Sequence, residues 1–169
     1  MAAKQASAFP PGASSPKPLK YSVFLRSLAP RPDEKSGACL AATITKLLYI
    51  ALSEGSLIGF YTLVVGEARY EDAPERLTKG LARHPIPLML LARMGVALSR
   101  QGKGIGAGLL KDAMLRTLAA ADIAGIRAFS VHAKDERARD FHRRFDFIES
   151  PTDPMHLFVL IKDFRQALD

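Results

Sequence analysis

Cysteine is nearly absent: Cys39 is the single one among 169 residues. One thiol closes no intramolecular disulfide and holds no zinc alone, so a reducing, cytoplasmic setting is expected. A membrane-spanning run is missing as well. The longest apolar stretch, Pro85 to Leu98, falls short of the roughly 20 residues a span needs and carries Arg93 in its middle. The first twenty residues hold no apolar core of the secretory kind, and no internal repeat recurs. Acid is in deficit, 17 Asp and Glu against 24 Lys and Arg, for a net charge of +7. That balance suits a phosphate-rich partner, either a nucleic acid or a phosphorylated cofactor, although no motif for reading DNA sequence is visible. What is present is ordinary globular composition, 48% hydrophobic and 24% charged, which excludes a fully disordered chain. The length fits one domain able to bury a core without a metal or disulfide.

Six of the eleven prolines fall before Asp33, and residues 1–18 are mostly Ala, Ser, Pro, Gly and Lys. They read as a flexible tail, with the folded domain spanning 19–169. Tyr21 to Leu28 alternates like a first strand, and Cys39 to Thr45 is ambiguous between helix and strand. Lys46 to Ser53 and Ser56 to Val65 read as two strands joined at Glu54-Gly55. Pro74 to Arg83 is predicted helical, with Leu77 and Leu81 on one face. Leu88 to Leu98 has the continuous apolar character of a strand covered on both sides, and its Gly95 marks a bulge or a close backbone approach. Gly104 to Asp122 is the best helix, striped by Leu109, Leu110, Ala113, Met114 and Leu118. Ile126 to Ala133 is a strand, Asp135 to Phe145 a helix capped by Asp135, and Met155 to Ile161 a closing strand. The order predicts an α/β fold with a mixed sheet.

The sharpest local signal is Gln101-Gly102-Lys103-Gly104-Ile105-Gly106, between an apolar strand and an amphipathic helix. Glycines let backbone N–H groups close around an anion, and a helix start adds about half a positive charge, so a pyrophosphate fits there. A nucleotide-binding P-loop would need a lysine followed by serine or threonine, which is absent, and the match to a dinucleotide fingerprint is poor. A plain glycine-rich turn remains open from the motif alone.

The stretch from Arg93-Met94-Gly95-Val96 to Arg100 and the glycine motif resembles the acetyl-CoA motif of the GNAT acetyltransferase superfamily. Gln101, Gly104 and Gly106 fill its defining positions. Ala133 to Phe147 resembles the second GNAT hallmark, a helix running Asp or Asn, Ala, Phe-Tyr and then Gly-Phe. Leu57 to Leu63, the Glu71-to-Leu81 segment with Pro74, Pro85-Ile86-Pro87 and Leu91-Ala92-Arg93 narrow the resemblance to GNAT toxins of bacterial toxin–antitoxin pairs, over about Glu54 to Lys162. The chain departs from that pattern at His142 (family Tyr), Asp146 (family Gly) and Ala97 (often acidic in the family). Before Glu54 it is short and proline-rich, where relatives usually carry a strand and two helices.

The resemblance implies a central, mostly antiparallel sheet flanked by helices, and acetyl transfer from acetyl-CoA to the α-amine of aminoacyl-tRNA. It further implies a ribbon-helix-helix antitoxin as partner, no metal and no membrane, and it is compatible with a homodimer. A GNAT acting on a small amine and an acyl-CoA-binding pseudoenzyme are the alternatives. Near Gly95 the central strand is expected to splay, freeing the backbone of Met94, Gly95 and Val96 for the pantetheine amides. Gln101, Gly102, Lys103, Gly104, Ile105 and Gly106 are expected around the pyrophosphate. His142 stands where the acid for the leaving thiolate is expected. With an ordinary pKa of ~6.5 its ring would be about a quarter protonated at pH 7, less if Arg139 and Arg143 lie close. No carboxylate stands out as the base. An α-amine, titrating near ~8, needs less help than a lysine at ~10.4, which favours an aminoacyl ester. Arg93, Arg143 and Arg144 are candidates for tRNA contact, and Arg137, Arg139, Arg76, Lys79 and Arg83 extend a basic rim. His132 and His156 read as isolated structural histidines, and Phe141, Phe145 and Phe147 as core.

Overall fold

The computed structural model describes the strand 23–27 and residues 46–166. The expected tail, 1–18, and the ambiguous segment 39–45 lie outside the described residues. Seven strands form one sheet: β1 (Val23–Ser27), β2 (Lys46–Ser53), β3 (Ser56–Ala68), β4 (Ile86–Val96), β5 (Ala128–His132), β6 (Ile148–Glu149) and β7 (His156–Leu160). Their order is β1-β2-β3-β4-β5-β7-β6. Every neighbouring pair is antiparallel except β4 and β5. A parallel pair needs a long crossover, and helix α2 (Ile105–Ala124) supplies it.

Strand alternation sorts the apolar residues into two cores. Tyr61, Leu63, Met89, Leu91, Phe129, Val131, Leu157 and Val159 face α2, whose Leu109, Leu110, Ala113 and Met114 complete that layer. Leu88, Ala128, Phe158 and Leu160 face the other way, over Leu77 of α1 (Glu75–Thr78). A sheet covered on both sides accounts for the unbroken apolar run through β4.

Two expectations need correction, and one left open is decided. The helix expected over Pro74 to Arg83 stops after one turn, because Gly80 adopts a left-handed conformation (φ +79°) and turns the chain away. Met155 to Ile161 is not all strand: Ile161 opens a further helix, α4 (Ile161–Gln166), whose Phe164 packs into the α2-side core. Of the two readings of Gly95, the bulge is ruled out: it falls at Ala92, since Thr62 pairs with Arg93 and Leu63 with Leu91. Gly95 is instead a close approach: a Cβ there would lie 2.8 Å from the ring of Phe60, its partner on β3.

Helix α3 (Glu136–Arg143) starts as expected, with Asp135 Oδ1 accepting from the Ala138 amide at 2.8 Å. It ends in a turn that places Asp146 at φ +61°. The left-handed backbone suits glycine best, and aspartate is among the few other residues that tolerate it. Behind β6, Ser150 Oγ donates to the Asp72 carbonyl at 2.6 Å and Thr152 Oγ1 to Asp72 Oδ1 at 2.7 Å. These bonds clamp the loop before β7 onto the turn that follows β3.

Candidate active site

β4 and β5 pair only as far as Leu91 and Val131. Beyond them the Ala92 bulge carries β4 away while it keeps its ladder to β3 as far as Val96. The resulting notch opens a groove of about 1080 Å³. Its walls include Met94, Gly95 and Val96 from β4, and Gln101, Gly102, Gly104, Ile105 and Gly106 from the turn and the start of α2. Arg93, Arg144 and His142 line it too. Two candidates stand apart: neither Lys103 nor Arg143 is part of the lining. Arg143 lies 3.6 Å from Glu149, and Arg139, also turned toward Glu149, lies 3.8 Å from it. Of the remaining expected rim, Arg137 lines the groove, whereas Arg76 pairs with Asp163 at 3.0 Å.

The glycine turn presents open backbone at the start of a helix. Gly104 is the N-cap of α2 at φ +77°, and no side chain caps the helix. The first amides of a helix have no partner within it, so here they stay available to a ligand. At Gly102 and Gly104 no protein atom lies within 4 Å of where a Cβ would sit. Gln101 has a second task, its Nε2 donating to the Val96 carbonyl at 3.2 Å and tying the turn to the end of β4. These features fit the diphosphate of a coenzyme A thioester: open donors, a helix N-terminus and space. They favour the anion site over a plain turn.

At the other end, His142 is 4% exposed and packs against Phe141 and Phe147, with ring centroids 5.1 and 5.2 Å away. Its Nδ1 is buried without a hydrogen-bond partner. Burial pushes its pKa down to about 4. Desolvation, rather than the arginines expected to act on it, is the cause. At neutral pH the ring is therefore an uncharged imidazole, far from the quarter-protonated acid anticipated from an ordinary pKa.

His132, Phe60 and Lys134, not among the expected site residues, also line the groove. His132 and His156, expected to be isolated, are not. They are register partners across β5 and β7, and their rings stack with centroids 3.9 Å apart. The period-2 pattern put each on a face, but nothing local in the sequence showed that β7 would bring them together.

An acetyltransferase (GNAT) domain model matches residues 45–149. The chain belongs to the GNAT acetyltransferase family. A GNAT domain uses acetyl-CoA, and this chain is accordingly an acetyl-CoA-dependent N-acetyltransferase. It is 44% identical over 120 residues to the tRNA-acetylating toxin of Mycobacterium tuberculosis, covering 71% of this chain and 72% of that one. It is 26% identical over 121 residues to a probable TacT toxin of Sinorhizobium fredii, covering 67% of each. Among solved structures, a mutant AtaT toxin bound to the C-terminus of the antitoxin AtaR and acetyl-CoA superposes with a TM-score of 0.59 at 27% identity, over 72% of this chain and 70% of the other. No helix among the described residues of this GNAT protein is long and apolar enough to cross a membrane.

Proposed function

We propose that this protein acetylates the α-amine of aminoacyl-tRNA in the cytoplasm and thereby acts as the translation-blocking toxin of a toxin–antitoxin pair, held in check by a ribbon-helix-helix antitoxin. The observation that carries the substrate is the charge around the groove. Arg93, Arg100, Lys134, Arg137 and Arg144 line it against the single carboxylate Asp135. Cations at that density draw in a polyanion, whereas a free cationic amine would call for an acidic pocket. The relative with 44% identity, named a tRNA-acetylating toxin, supports the same reading.

Acetyl-CoA supplies an activated acyl group as a thioester. The chain's own residues bind and orient it. The Gln101–Gly106 turn and the α2 amides hold the diphosphate, and the β4 backbone beyond Leu91, lacking a β5 neighbour, offers pairing groups to the pantetheine. His142 stands on the α2 side as a neutral imidazole in the groove wall, placed toward the departing sulfur. Labelled acetyl-CoA incubated with a pool of charged tRNAs, and in parallel with small polyamines and aminoglycosides, decides the substrate. Label in base-labile N-acetyl-aminoacyl-tRNA is expected; label only in the small amines overturns the reading.

A further inference from the structure

His132 closes β5, one residue past the point where β4 leaves it. Alternation puts Ala128, Ser130 and His132 on the face away from α2, while Phe129 and Val131 join the α2-side core. His132 is exposed and lines the groove, so it reaches the notch from the side opposite His142. Its ring is not loose. It stacks on His156 at an interplanar angle of 18°, and His156 is held from three directions. Fully buried Ser130 shares a hydrogen bond with its Nε2 at 2.7 Å, Phe158 packs against its ring at 4.2 Å, and its amide donates to the Asp153 carbonyl at 3.0 Å. Burial, with the neighbouring His132 second, pushes His156 down to about 4, so the supporting ring stays neutral. Asp72 and Asp153 act on His156 in the opposite sense from the clamped loops. The other charged groups of the groove are Arg93 and Arg100 from the β4 side, and Lys134, Asp135, Arg137 and Arg144 from α3 and its approach.

A stacked, oriented imidazole at the mouth of the notch is an arrangement for proton transfer. We propose that His132 is the base that takes the proton from the attacking amine, approaching from the sheet face opposite α2, and that His156 and Ser130 are positioning residues that fix its ring. The proposal rests on the acetyl-transfer reading above. The amine nitrogen forms its bond to the acetyl carbon and the C–S bond breaks with its electron pair leaving on sulfur. The N–H proton passes to a ring nitrogen of His132 and from there to solvent. This fills the place for which no carboxylate stood out in the sequence.

Single-turnover acetyl transfer to charged tRNA, with acetyl-CoA saturating, tests the assignment. His132→Ala and the bulkier His132→Gln are expected to lower the rate constant by ~10²–10⁴-fold while the thermal shift given by acetyl-CoA persists. Added imidazole is expected to restore part of the His132→Ala rate and none of the loss in Ser130→Ala, whose rate should fall less than tenfold with KM unchanged. Glycine methyl ester serves as a second acceptor with an α-amine and no RNA. Activity on the ester without activity on tRNA would overturn the substrate reading while leaving the histidine comparison readable. An unchanged rate in His132→Ala, or a loss that imidazole fails to restore, overturns the base.

Discussion

The two ends of the groove are built from different materials. The cradle at the start of α2 is made of main chain: amides without partners, a helix terminus, and glycines whose work is to have no side chain. The acyl end is made of side chains set by packing, with His142 pressed between phenylalanines on one face of the sheet and His132 stacked on His156 on the other. A backbone site depends on local conformation and tolerates exchange of the residues around it. A side-chain site depends on what distant strands bring against it, and there burial alone moves a histidine from about 6.5 to about 4.

The largest effect that separates the two ends comes from Gly104→Asp. Aspartate accepts a left-handed backbone, as Asp146 shows, so the fold should persist. A carboxylate in the cradle should nevertheless cost more than a hundredfold in acetyl-CoA affinity. The unmodified protein at 100 times its dissociation constant gains ~2.7 kcal/mol, read as a rise in melting temperature, and the variant should show none. A full shift in Gly104→Asp would remove the cradle assignment. At the acyl end, His142→Tyr installs a group that keeps its proton until ~10. The single-turnover rate at pH 7 is expected to rise about tenfold or more, within the usual range for general acids. Equal rates in the tyrosine and native proteins would take His142 away from the reacting atoms.

Acid should expose the same asymmetry in stability. The unfolded chain binds a proton at His142 near its ordinary 6.5, and the folded chain only near 4. The stability that His142 contributes is therefore complete above about pH 6.5 and is lost as pH falls toward 4, on the order of 3 kcal/mol. His156 adds to the loss with the same sign. Urea unfolding across that window should show the decline, and His142→Phe should flatten it while discarding an unpartnered nitrogen. A slope identical in the two proteins would mean that His142 is solvated. The smallest effect is at the rim. Arg144→Ala should reduce the salt slope of tRNA binding by about one, whereas Arg143→Ala, at a residue that faces Glu149, should leave it unchanged.

The same division explains what was legible beforehand. The turn at Gln101 to Gly106 could be read because its glycines stand in consecutive sequence, and β2 to β5 followed from period and turns. The Ala92 bulge could not be read. Nothing in Leu91-Ala92-Arg93 departs from a regular strand, and the register is set by β3. Gly95 could be read as a bulge or a close approach, and only the Phe60 ring across the ladder decides for the approach. The helix α1 was overdrawn because Leu77 and Leu81 keep helical spacing past a glycine that ends it. The pairing of His132 with His156 joins residues 24 positions apart through a strand order fixed only in three dimensions.

The Asp72 clamp gives the two ends different histories within a folding chain. The cradle is sealed by Gln101 reaching Val96, five residues back, and needs only β4, a turn and α2. The loop leading into the His156 strand is secured by Thr152 reaching Asp72 across 80 residues. Contacts that close long loops pay their entropy before they return anything, so they form late. During synthesis the glycine turn can therefore take shape while the C-terminal strand that carries His156 is still to be made. On the proposed assignment, the grip on the coenzyme forms before the means to use it.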